Sequence, residues 1–137
     1  MTQTAQTTTV PAIPTALRAG LIAGVVAAIV ANAWYYASVA VTGRAYEELN
    51  LLSITVTAIL PALIGALLYQ RLARRVTNAT LIFRAVGVTF AVLSTLPQFI
   101  QPLHEGFALA TAPLHIIVGV IVVWLIPLLA PSGRHAK

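Results

Sequence analysis

The sequence predicts an all-α fold, a four-helix transmembrane bundle running up-down-up-down. Three observations carry this expectation. Four long apolar runs are separated by polar connections. Hydrophobic residues make up 59% of the 137 positions and charged ones 8%, against about 25% charged in a soluble domain; so few charges cannot build a water-facing surface. The chain's midpoint, Arg71–Arg84 (RLARRVTNATLIFR), carries four of the eight cationic residues and no acid.

The length suits one domain. A formal charge of +5 would suggest nucleic acid in a soluble protein. Here the cations flank apolar runs, so the lipid bilayer is the expected partner, with anionic headgroups at its surface, and nucleic acid is not. Cysteine is absent, which removes disulfides, thiolate metal sites and dithiol redox chemistry.

Residues 1–14 (MTQTAQTTTVPAIP) are rich in Thr and Gln and hold too little apolar surface to fold alone; they read as a disordered tail. The membrane domain covers 15–131, and 132–137 form a basic tail with Arg134, His135 and Lys137. The 23-residue apolar run after Arg18 is too long for a signal-peptide core, despite Tyr36–Ala40 (YASVA) resembling a cleavage site.

Span one is expected at 17–41. At 1.5 Å per residue, ~25 residues cover ~37 Å, enough to cross with tilt. Gly20, Gly24 and Ala28, with Ala16 and Asn32, recur every fourth residue and let another helix approach closely. That helix could be one of its own or a second copy's. Span two is expected at 51–69, with Pro61 as a kink and Ala58, Ala62 and Ala66 as a second small-residue face. Span three is expected at 79–97, with Arg84 a turn inside it and able to snorkel outward. Pro97 and Pro102 bracket an outer connection, Gln98–Gly106, and span four follows at 105–130. Thr57–Leu60 with Gly65 echo Thr111–Leu114 with Gly119, 54 residues later, as two parallel-related hairpins would.

Four crossings put both termini and the middle loop on one side. That side holds Arg18, Arg71, Arg74, Arg75, Arg84, Arg134 and Lys137; the other holds Arg44 and the three acids Glu47, Glu48 and Glu105. Short loops rich in Lys and Arg stay inside, so both termini are expected in the cytoplasm of a cell-membrane protein. Aromatic residues collect near both interfaces.

Polar groups at membrane depth are costly and each needs a reason. Asn32 and His115 both sit ~12–14 Å below the outer surface, near Thr55, Thr57, Ser94 and Thr95. The expectation is a polar layer with Asn32 and His115 facing each other or a water. It either glues helices together or lines an outward crevice that binds a ligand or relays protons; Asn32, Thr57, Ser94 and His115 are the candidate residues. His104 and His115 lie ~16 Å apart along a helix, too far for one metal. A loop metal site from His104 with Glu47 or Glu48 has no supporting ligand spacing, so no metal and no cofactor is expected. Arg71, Arg74, Arg75 and Arg84 serve topology and lipid headgroups.

Several chemistries lack their residues. Four-span multidrug exporters use a carboxylate in the first span, which is missing here. Haem bundles need paired histidines at one depth, and quinone-linked disulfide enzymes need cysteines. There is no GxSxG, P-loop or HExxH, so an enzyme is not expected. The expected function is a non-enzymatic membrane protein packing with itself or a membrane partner. The alternative is a small transporter or ligand-binding subunit using the Asn32/His115 layer.

The last third (LSTLPQFIQPLHEGFALATAPLHIIVGVIVVWLIPLLA) resembles a family of small bacterial four-span membrane proteins classed as a domain of unknown function. The likeness covers Arg71–Pro131. It rests on Leu93-Ser94 with a following proline, Ala108–Thr111, Leu114-His115, Val118-Gly119 and Ile126-Pro127. The resemblance implies a four-span fold and singles out His115.

Overall fold

The computed structural model describes the backbone of residues 7–135 and the side chains of residues 10–132. In chain order the elements are β1 (Thr7–Thr9), α1 (Ile13–Thr42), α2 (Leu51–Arg75), α3 (Ala79–Leu93), α4 (Leu96–Ile100), α5 (Phe107–Leu129) and β2 (Gly133–His135). Four helical segments are long and apolar enough to cross a membrane: α1, α2, the pair α3–α4 taken together over Ala79–Ile100, and α5. The bundle expected from the sequence is therefore present.

The boundaries follow from local chemistry and correct some expected ones. Helix α1 starts at Ile13 rather than 17 because Pro14 sits in its first turn, where a fixed φ suits the helix and no backbone donor is lost. Gly43, at φ 69°, ends it, and its N–H donates to Val39 O. Helix α2 opens on a capping box: Asn50 accepts from the Ser53 N–H at 3.0 Å and Ser53 Oγ accepts from the Asn50 N–H at 3.0 Å. It runs through Pro61 and on to Arg75, beyond the expected end at 69, with Arg74 and Arg75 in the last turn, where cations complement the carbonyl end.

The third span is two helices, not one. Ser94 and Thr95 separate α3 from α4, and Pro97 lies in the first turn of α4. Gln98 is thus helical rather than part of the outer loop.

The expected tails also change. Thr7–Thr9 pairs antiparallel with Gly133–His135, which brings the two described chain ends to one end of the bundle. Residues 1–6 and 136–137 of the expected tails lie outside the described residues.

Three antiparallel seams hold the spans: α1–α2, α1–α5, where Ala31 and Tyr35 cluster with Leu114, and α3–α5. On the α1–α2 seam, Ala16, Ala23, Ala27, Ala58, Ala62 and Ala66 are fully buried. A Cβ built on Gly20 would lie 2.7 Å from Ala66 Cβ, and one on Gly24 2.9 Å from Ile59 Cα. Ala28 joins the same cluster. Glycine is required where backbones come this close, and in lipid that packing itself drives association. The Gly20–Gly24–Ala28 stripe is covered by α2, so it is not a seam between copies.

The third seam joins α3 and α4 to α5. Its pairs run Arg84–Trp124, Gly87–Val123, Ala91–Gly119, Ser94–His115 and Gln98–Thr111. A Cβ on Gly87 would overlap Val123 Cγ1, and one on Gly119 would overlap Ala91 Cβ. Gly65 faces Phe83, Val122 and Ile126 with room to spare. Gly65 and Gly119, matched in the internal echo, therefore occupy different settings.

Tyrosines pin both ends. Tyr69, fully buried, hydrogen-bonds Thr80 Oγ1 at 3.0 Å and Ser132 Oγ at 2.8 Å, tying α2, α3 and the segment after α5. At the opposite end, Tyr35 Oη accepts from the Tyr46 N–H at 3.0 Å, and Tyr46 Oη donates to Glu105 O at 2.9 Å.

Candidate functional site

Phe83 and Phe90 lie seven residues apart on α3, two turns along one stripe. Phe83 is buried against Tyr69, with ring centroids 5.2 Å apart, whereas Phe90 is 69% exposed. Helix α2 repeats the pattern. Gly65, Pro61 and Thr57 share a face at four-residue spacing. Gly65 meets Phe83, while Pro61 and Thr57 are exposed. The faces of α2 and α3 that meet at Gly65 and Phe83 therefore separate toward the loop end that carries the acids. Exposed Thr57 and Pro61 on α2 and Phe90 on α3 border this opening, the notch.

A chain of polar side chains borders this notch. Thr111 Oγ1 donates to Gln98 Oε1 at 2.7 Å. The Gln98 amide donates to His115 Nε2 at 2.7 Å. The His115 ring then carries its proton on Nδ1 and donates to Ser94 Oγ at 3.0 Å, and Ser94 donates to Ala91 O at 2.8 Å. Every ring nitrogen is satisfied, as polar groups away from water must be. The imidazole is nonetheless exposed at the bundle surface.

Asn32 is not part of this chain. Its amide donates to Ala28 O at 2.8 Å and to Thr55 Oγ1 at 3.2 Å, and its Oδ1 is buried with no partner among the described residues. The expected single layer is two clusters on two seams. Asn32 faces α2, whereas His115 faces α3 and α4. Thr57 does not join either cluster through a hydrogen bond; it donates to Ser53 O at 2.7 Å on its own helix. Gln98 and Thr111 were not expected at the site. Their signal was weak, since Pro97 reads as a stop and Thr111 as one apolar-run threonine among several.

Outside the membrane, His104 Nε2 and Glu48 Oε1 are 2.9 Å apart, and Arg44 and Glu105 pair at 3.6 Å. These pairs tie the α1–α2 loop to the α4–α5 loop. The hydrogen bond from His104 holds the Glu48 carboxyl below its ordinary value, helped by a backbone hydrogen bond. Among the described residues no three His, Cys, Asp or Glu side chains cluster as metal ligands. Arg71, Arg74 and Arg75 are exposed at the other end. Arg84 lies over the Trp124 ring, its Cζ 5.1 Å from the centroid.

No curated protein and no solved structure matches this chain. A family model does, across residues 4–132 and so across all four spans; the chain belongs to the family described as "Family of unknown function (DUF6069)".

Proposed function

We propose that this protein is a non-enzymatic membrane subunit that associates, with itself or with a membrane partner, by receiving a helix in the notch between α2 and α3. One observation carries the reading: Phe90, on the stripe that is core at Phe83, is 69% exposed beside the His115 chain. Lipid can cover an aromatic ring, but it offers no shape to match, whereas a packed helix does.

A photo-crosslinking residue at Phe90 tests this. It captures protein in native membranes, while the same residue at Ile29, 65% exposed on α1, captures lipid alone. Lipid capture at both positions contradicts the proposal.

The second reading, a small ligand in the notch, keeps His115, Ser94 and Thr57 but loses Asn32, which is buried elsewhere. Ligand density beside His115 in a particle of one chain would favour it.

The orientation we propose has both termini in the cytoplasm of the cell membrane. Its support is the charge asymmetry, with Arg71, Arg74 and Arg75 at one end and Glu47, Glu48 and Glu105 at the other. Fusions of alkaline phosphatase and of a fluorescent protein after Lys137 test it. An active phosphatase with a dark fluorophore reverses the orientation.

A further inference from the structure

We infer that Arg84 and Trp124 form a binding site for the phosphate of an anionic phospholipid at the end of the bundle where the termini meet. Arg84 is five residues inside α3 and Trp124 five residues before the end of α5. Both therefore lie ~7.5 Å from that end of their helices, at the level where headgroups give way to acyl chains. Side chains lean toward a helix N-terminus, which directs Arg84 outward to that level.

The guanidinium lies over the indole within cation–π reach, with its Cζ 5.1 Å from the ring centroid. Its Nε is buried and makes no hydrogen bond among the described residues. All three acids of the chain, Glu47, Glu48 and Glu105, belong to loops at the opposite end. The seam beneath it, Gly87 on Val123, is too tight for the guanidinium to fold inward. A half-buried cation with no hydrogen bond and no ion pair among the described residues is matched, through its two Nη groups, by a phosphate oxygen pair. Phosphatidylglycerol presents that group without a compensating cation; phosphatidylcholine does not. The exposed edge of Trp124 lies beside the glycerol and upper acyl chain of such a lipid.

Native mass spectrometry of the full chain with equal phosphatidylglycerol and phosphatidylcholine tests the site. The protein retains phosphatidylglycerol, Arg84→Gln weakens that retention about tenfold, and Arg84→Lys falls between them. The triple variant Arg71→Gln, Arg74→Gln, Arg75→Gln retains it nearly as the parent does. Loss in the triple variant with no change in Arg84→Gln overturns the site. So does equal displacement of the lipid by inorganic phosphate, which would make the anion a soluble one. A second readout needs no Arg84 variant. In a Trp34→Phe background, brominated phosphatidylglycerol quenches Trp124 more strongly than brominated phosphatidylcholine; equal quenching overturns the proposal.

Discussion

Phe83 and Phe90 occupy one stripe of α3, yet the first is 9% exposed and the second 69%. Burial sets what each contributes. Phe83→Ala removes a ring packed on Tyr69 and is expected to cost about 3–5 kcal/mol of bundle stability. Phe90→Ala should leave the isolated chain within about 0.5 kcal/mol of the parent while weakening its association. Unfolding in mixed micelles, followed for both variants, checks the contrast.

The glycines of the seams should rank by the space above them. Gly87→Ala and Gly119→Ala each drive a methyl into a side chain on the facing helix, an overpacking that costs about 1–3 kcal/mol. Gly65→Ala meets only ordinary contacts, the nearest at 3.7 Å, and should be neutral or slightly stabilising through helix propensity. The same unfolding measurement on the three variants decides it.

His115→Leu and Asn32→Leu should differ in consequence. The first strands the Gln98 amide and Ser94, at about 0.6 kcal/mol for each membrane hydrogen bond lost. The second also deletes a buried Oδ1 with no partner, so its net cost should be near zero. A double-mutant cycle of His115 with Gln98 should return a coupling of this size, and a cycle of His115 with Asn32 none.

The outer loops should loosen in acid. The folded-state pKa of Glu48 is depressed, chiefly by the hydrogen bond from His104. Its contribution is therefore complete above the unfolded-state value of about 4.3. It is lost as pH falls through the lower folded-state value. Both side chains are exposed, so the effect is local. Hydrogen exchange of the amides near Glu48 and His104 should rise in that window and become flat in Glu48→Gln.

The number of spans was legible in the sequence and azimuth was not. Counting residues from the span ends puts Asn32 and His115 at a common level but says nothing of rotation. Which neighbour each faces depends on helix rotation, and that is set by packing between segments distant in sequence. The small-residue stripe of α1 was legible because Gly20, Gly24 and Ala28 repeat one chemistry at one spacing. The α3–α5 seam was not, because Arg84, Gly87, Ala91, Ser94 and Gln98 mix five chemistries at spacings of three and four. Pro97 hid the last of these: read as a terminator, it opens α4 instead. The Gly20 stripe had two possible partners, and only the fold assigns it to α2.

The central claim is that the notch beside His115 is filled by another protein helix. Extracting the full chain in its own lipid, without detergent, and measuring the protein mass of the particle tests this most directly. The account predicts more protein than one 14.5 kDa chain, falling toward one chain in Phe90→Ala. A particle holding a single 14.5 kDa chain and no other protein would contradict it.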